Sequence, residues 1–470
     1  MVFNSYIFVL LFLPATIIGY YFLCKKKKNI YAKLLLLLLS ILFYGYSNVY
    51  SLIFVICSIL INYFLCKINK DKNIVLFVIS IILNVLLLVF YKTKGLFVLQ
   101  SSFFIPLAIS YITFNQLSFL IDNYRSKDVI YYTFVEYALY ILYFPKILQG
   151  PLDSFDSFIN QINDSNNYCL NWNNIKEGLF LFIIGLSKKL LLADVFAKAA
   201  NWGYSNINSL DSLSSIIIIL SYSFQLYFDF SGYSDMAFGI SKMLNIEITN
   251  NFDFPYESKS ISEFWKKWHI SLTTFLRNNI YIPLGGNRKG KLRTNFNILL
   301  IFVISGIWHG FNYNFLLWGI LNGLLLILDK EIVSKIEINQ KIKWITTFII
   351  VNLLWVVFRT ISLIDIKSIL EALFSFKFGQ IDPDLISCFD FTFISFISYD
   401  LHFIRIFGSS RFYIFIYLII GFILSTYGRL IRKYLLSNNI EIHKVLIYSI
   451  MFVMCVLSFT SNSTFIYAGF

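Results

Sequence analysis

Apolar residues come in long runs along this chain, broken by short polar bursts. The runs of roughly 18 to 25 residues are each long enough to cross a bilayer as a helix. In the first third they cover about 5–23, 30–47, 49–66, 73–91, 102–120 and 128–147. The continuous apolar stretch 30–66 requires a tight turn near Ser47-Asn48. The first run shows no small-residue cleavage site and is expected to be a retained span rather than a signal peptide. After Gly150 the text turns polar, and "PLDSFDSFINQINDSNNYCLNW" reads as a loop. A moderately amphipathic helix is expected at 174–200, and a span from Ser212 runs into "LYFDFSGYSDMAFG". Further spans are expected near 295–309, 312–329, 344–359, 411–427 and 444–458, with 381–400 as a loop or interfacial segment. No internal repeat is found. The pattern predicts an all-α, polytopic integral membrane protein of about 10 to 13 spanning helices in a single domain.

Composition agrees. Over the 470 residues, 58% are hydrophobic and only 14% charged, where soluble domains carry about a quarter. The net charge of +13 does not point to nucleic acid, because the lysines sit in bursts such as Lys25 to Lys28 and Lys67 to Lys72 between apolar runs. Such bursts read as cytoplasmic anchors beside anionic lipid, and they place the N-terminus outside. The six cysteines lack CxxC spacing and read as small hydrophobes.

The densest polar chemistry lies in "FWKKWHISLTTFLRNNIYIPLGGNRKGKLR", Phe264 to Arg293. Ser260-x-x-Glu263 has capping-box spacing and marks a helix start. At 100° per residue, Trp265, Trp268, Leu272, Phe275 and Leu276 share one face, and Lys266, Lys267, Thr273, Thr274 and Arg277 the other. One continuous amphipathic helix at the interface, or dipping into a membrane funnel, is expected. His269 falls at the edge of its apolar face. It is either an interfacial imidazole bonded to a carbonyl or a catalytic, substrate-orienting one. Gly285-x-x-x-x-Gly290-Lys291 approaches P-loop spacing, but Leu292 stands where Ser or Thr should reach magnesium, and a helix rather than a strand precedes it. The loop is better read as a turn presenting Asn287, Arg288, Lys289 and Lys291 to anionic groups, either lipid headgroups or the phosphates of a charged donor.

Two further signals lie in apolar surroundings. His309, in "FVISGIWHGFNYNFLLWG", is flanked by Trp308 and bracketed by Gly306 and Gly310, small residues that permit close backbone approach. A neutral imidazole there could take a proton from a hydroxyl, or could staple two helices. Asp229 and Asp235 fall in or near the hydrocarbon, where carboxylates face a cavity or the bundle interior. Cavity scaffolding is the first reading for both, and orienting a histidine the second. Two histidines without HxxH or HExxH spacing make no metal site. No GxSxG elbow supports a serine acyl-enzyme. His402, in the interfacial segment, and His443, in a basic flank, read as ordinary. On composition alone a transporter or flippase for lipid-linked glycans shares the spans, buried Asp and basic loops.

Taken in order, these motifs resemble the membrane-bound O-acyltransferase (MBOAT) family, in the branch of alginate and peptidoglycan O-acetyltransferase membrane subunits. The likeness runs from "FNSYIFVLLFLPATIIGYYFL" through "IPLAISYITFNQLSFLIDNYR", "LYFPKILQGPL", "GLSKKLLLAD" and "SGYSDMAFG" to "FWKKWHISLTTFLRNNIYIPLGGNRKG", "SGIWHGFNYNFLLWG" and the terminal "FIYAGF". The resemblance implies a ring of tilted helices around a central tunnel. It implies His309, in WHG, as the principal catalytic residue and His269, in FWxxWH, as functionally important, with Trp265, Trp268 and Trp308 in support. It implies an acyl thioester donor, most simply acetyl-CoA, a cell-surface glycan acceptor, and a separate extracytoplasmic partner of SGNH-hydrolase type. A bacterial cell (inner) membrane is the expected location. D-alanyl transfer to teichoic acid is the neighbouring activity. Lys266 and Lys267 stand where relatives often have arginine, and Ser305 where many have glycine.

Overall fold

The computed structural model describes residues 1–25, 29–97, 106–126, 131–390, 410–437 and 441–459. Lys26 to Lys28, His402, the 391–400 half of the expected interfacial segment and "FIYAGF" lie outside them. The regular structure of the described residues is helical, apart from one isolated antiparallel bridge between Phe252 and Trp268. In chain order the helices are α1 (Leu13–Lys25), α2 (Asn29–Gly45), α3 (Val49–Ile68), α4 (Ile74–Phe97), α5 (Ile109–Arg125), α6 (Phe134–Leu142), α7 (Phe155–Asn163), α8 (Trp172–Ser187), α9 (Asp194–Ser205), α10 (Ser212–Met243), α11 (Ile261–Lys267), α12 (Ile270–Leu276), α13 (Lys291–His309), α14 (Tyr313–Glu331) and α15 (Gln340–Arg359). Helices at Leu363–Leu373, Pro383–Ser387, Ser410–Thr426, Gly428–Leu435 and Ile442–Leu457 follow.

Among the described residues six helices are long and apolar enough to cross a membrane: Phe8–Lys25, α3, Ile74–Thr93, α10, α13 and α15. Arg411–Thr426 and Gly428–Leu435 form a pair bent by 76°, and α2 and Ile442–Leu457 are shorter apolar helices. The chain is therefore a multi-span integral membrane protein. Other expected runs are helical but shorter or more polar. Of the run expected at 128–147, the described residues 131–147 keep helix only over the nine residues of α6 before turning toward Gly150. Helix α5 carries Asn115, Gln116 and Asp122.

The described residues divide into two compact units, those within 1–184 and 233–251 in the first and those within 185–232 and 252–459 in the second. In the first, Phe8 packs among Phe3, Phe43 and Phe144, with ring centroids 4.8–6.3 Å apart. Buried amides tie α3 to α4 and α5: Asn84 donates to Asn62 (2.7 Å), and Asn62 to Gln116 (3.2 Å). Without water to satisfy them, such groups find one another across helices. Lys146 is fully buried, 3.7 Å from the Asp153 carboxylate and over the rings of Tyr140 and Phe158.

In the second unit α13 and α14 form an antiparallel hairpin whose backbones nearly touch. A methyl group on Gly306 would lie 2.3 Å from the Phe315 carbonyl oxygen, and one on Gly319 would lie 2.4 Å from that of Phe302. The expectation that small residues beside His309 permit close approach is thus met, with Gly319 supplying the other half. Gly319→Ala should push the helices apart and cost about 1–3 kcal/mol, read as a lower melting temperature of the purified protein in detergent. The exposed Leu324→Ala on the same helix should cost less than about 0.5 kcal/mol.

Candidate functional site

The segment expected as one amphipathic helix is two helices with His269 at the break. Ser260 caps α11, its hydroxyl accepting from the Glu263 N–H (3.1 Å), but the Glu263 carboxylate accepts from Lys259 rather than from Ser260. Helix α11 ends at Lys267. Trp268 is extended and bridges Phe252, and the Asp253 N–H donates to the Lys267 carbonyl (3.1 Å). His269 then takes a left-handed conformation (φ 46°, ψ 53°) and caps α12. A residue with a Cβ pays to sit there, and the cost is met because this conformation reverses the chain while leaving the flanking peptide groups bonded. The break overturns the 100° phasing beyond Lys267, so the apolar face predicted for residues 265–276 is not one stripe.

The reversal leaves Trp268 buried, its ring 5.1 Å from Phe252, 5.5 Å from Phe264 and 5.0 Å from Trp355. The His269 ring meets Phe230 of α10 edge-on at 4.8 Å and Trp308 at 6.4 Å. Part of the residue's surface stays open, yet its ring lies among apolar groups, and burial pulls its pKa down to about 3. The imidazole is therefore neutral at physiological pH. A backbone hydrogen bond of its own works against that lowering, so the carbonyl-bonded alternative stands beside the substrate-orienting one.

His309 ends α13 and is buried, 7% exposed. Its ring lies 4.4 Å from Trp308, 5.3 Å from Trp318 and 4.9 Å from Phe358, the last two edge-on. The indole of Trp308 thus packs against both histidines. Trp265 supports this cage from α11, donating from Nε1 to Asn322 (3.1 Å) and packing 5.7 Å from Trp318. Trp318 and Phe358, together with Phe230 and Trp355, were not singled out in the sequence. "NFLLWG" and "LLWVVF" carry the signal, as aromatics near one end of two apolar helices, but nothing local distinguishes them from ordinary core residues.

Asp229 is buried and paired. Lys189 donates to it at 2.6 Å and also lies 2.9 Å from Asp194. The lysine comes from "GLSKKLLLAD", where the chain makes a π-turn over Lys188–Ala193. A buried carboxylate with a cation against it fits the scaffolding reading. Asp235 is buried in the first unit. Asn287, Arg288 and Lys289 lie on an exposed turn between the π-helix Arg277–Tyr281 and α13, and Lys291 is the exposed first residue of α13. Gly285 there has φ 104°, which a side chain rarely adopts. Lys291 pairs with Glu331 at 2.9 Å. No strand leads into the turn, in keeping with the rejection of a P-loop. His443 pairs with Glu441 in an exposed flank.

Two neutral or buried imidazoles around one indole, walled by aromatic rings, can exchange a proton with a hydroxyl in a dry setting. Comparisons with known proteins identify the family. The model of the MBOAT, membrane-bound O-acyltransferase family, matches residues 39–366. The chain is 34% identical over 420 residues to the peptidoglycan O-acetyltransferase of Helicobacter pylori, covering 79% of this chain and 80% of that protein. It is 32% identical over 404 residues to the protein named probable alginate O-acetylase AlgI of Pseudomonas aeruginosa, covering 81% and 76%. The teichoic acid D-alanyltransferase of Streptococcus thermophilus is 29% identical over 249 residues, or 50% and 59%. This multi-span chain, with its WHG histidine caged at the end of α13, belongs to the membrane-bound O-acyltransferase family.

Proposed function

We propose that this chain moves an acyl group, most simply acetyl, from a cytoplasmic thioester such as acetyl-CoA to a hydroxyl destined for a cell-surface polysaccharide, in the bacterial inner membrane. The observation that carries the reading is the packing of His269 and His309 against the single indole of Trp308. His309 is the general base. It takes the proton of the acceptor hydroxyl as the oxygen attacks the thioester carbonyl, and the thiolate leaves as the carbonyl re-forms. His269, neutral and facing the same indole, orients the reacting groups or receives a hydrogen bond from them. The aromatic walls exclude water, which favours transfer over hydrolysis.

The acceptor hydroxyl is a sugar hydroxyl or a serine of a separate extracytoplasmic partner of SGNH-hydrolase type that completes transfer to the polymer. Peptidoglycan and alginate-like glycans are preferred over teichoic acid as final acceptors. The relatives with those names align over about four-fifths of this chain, the D-alanyltransferase over half. Arg288 and Lys289, exposed on their turn, are placed to meet the donor's phosphates or lipid headgroups. Family membership removes the ground for the flippase reading, which rested on composition.

Replacing His309 with Ala at preserved expression should lower O-acetylation of surface glycan by about 10²–10⁴-fold, as expected for loss of a general base. Mass analysis of the glycan is the measurement, and unchanged acetylation would remove His309 from the chemistry. His269→Ala should lower the same signal by a smaller factor. Since His269 is neutral throughout the physiological range, the pH–rate profiles of His269→Ala and the wild type should keep the same shape. A limb that disappears with His269 would show that it titrates during turnover.

A further inference from the structure

Beside the helix end that carries His309 lies an arginine that pairs with no carboxylate among the described residues. Arg359 closes α15, one residue beyond Phe358, whose ring lies 4.9 Å from His309. Consecutive Cα atoms are about 3.8 Å apart, so the guanidinium is rooted beside the histidine cage. It turns instead toward α9 and α10. Its Nη2 donates to Asn201 Oδ1 at 3.0 Å, and its centre lies 5.5 Å from the Tyr204 ring and 5.8 Å from the Tyr222 ring. No carboxylate pairs with it among the described residues. The Tyr204 hydroxyl, on the same cluster, is buried and has no hydrogen-bond partner there either. A guanidinium held in place by two rings and an amide, with donors left over, is built for an anion that comes from elsewhere.

Charge tells which side the anion comes from. Helices α13 and α15 run parallel, separated by the returning α14, so their first residues share one end and His309 and Arg359 the other. Arg288, Lys289, Lys291 and Arg293 lie at the start of α13. Lys330, Lys335, Lys341 and Lys343 lie around the α14–α15 connection at that same end. The turn from His309 to Tyr313 holds no lysine or arginine. The positive-inside rule puts the lysine-rich end in the cytoplasm and the His309–Arg359 end toward the outside. Across the 19 residues of α13 the two ends are about 28 Å apart. One anion therefore cannot use both.

We infer that Arg359, with Asn201 and Tyr204, forms a recognition site for an anionic group, a carboxylate or a phosphate, of the extracytoplasmic acceptor. The inference rests on the acyl-transfer reading for its name of acceptor, and not for the site itself. Arg359 is a binding residue here. It holds the acceptor chain while a hydroxyl further along reaches His309.

The test uses the full-length protein in nanodiscs and three probes: a carboxylate-bearing oligosaccharide, the same oligosaccharide with its carboxyl groups reduced to alcohols, and a glycerol-phosphate oligomer. Arg359→Gln should weaken one anionic probe about tenfold or more, as loss of a charge-assisted pair does, and leave the neutral probe unchanged. Loss confined to the carboxylate probe assigns a carboxylate, and loss confined to the phosphate probe assigns a phosphate. Arg359→Lys, which keeps the charge without the fork, should lose less, and Tyr204→Phe less again, so the site can be read even if Arg359→Gln folds poorly. Unchanged binding of both anions, or equal weakening of the neutral probe, overturns the site. Acyl transfer is followed separately. A wild type that binds the anion through Arg359 yet consumes no thioester would keep the site and sink the acyl-transfer reading.

Discussion

Peptide groups cannot cross apolar surroundings unpaired. Each unsatisfied N–H or C=O there costs several kcal/mol, because no water is present to replace the missing bond. In this chain the constraint produces helices almost everywhere, and it makes any departure from helix an event that must be bonded locally. The departure at Trp268–His269 meets that demand. The Trp268 N–H still reaches the Phe264 carbonyl, Asp253 takes up the carbonyl of Lys267, and Thr273 closes onto His269. A histidine can be lifted off a helix and turned toward Phe230 and Trp308 only because those bonds are made.

The same constraint explains why small residues gather where they do. Once helices carry their own hydrogen bonds, little besides van der Waals packing remains to join them, and packing improves as backbones approach. Gly306 against Phe315 and Gly319 against Phe302 bring α13 and α14 to that limit. The hairpin so fixed presents Trp308 and His309 from one helix of the pair and Trp318 from the other. Packing and chemistry are therefore coupled: what separates the helices also loosens the cage.

How far the sequence discloses this differs from residue to residue. Runs of apolar residues give the helices, because length and hydropathy act locally. The Ser260 cap and the special place of Trp308-His309 between glycines are also local signals. The left-handed turn at His269 is not, since phasing at 100° per residue presumes a continuous helix and its cause is a bridge to Phe252, sixteen residues upstream of Trp268. The partner of Asp229 was equally hidden. Lys189 lies forty residues earlier, in a π-turn whose extra residue shifts the side chains off ordinary helical spacing. Trp318 and Phe358 look like any core aromatics until the hairpin and α15 bring them edge-on to one imidazole.

An imidazole enclosed by aromatic rings faces two opposing requirements. To act as a base it must be neutral beforehand. To hold the proton during transfer it must tolerate charge, and a wholly apolar wall would oppose that. Aromatic rings moderate the conflict, because their faces attract cations where aliphatic side chains would not. Trp308, lying between His269 and His309, offers a polarisable surface to both at once. On the acyl-transfer proposal, a cage of tryptophan and phenylalanine is thus better matched to a transient imidazolium than a cage of leucines of the same volume, a physical reason for the density of aromatic residues around His309.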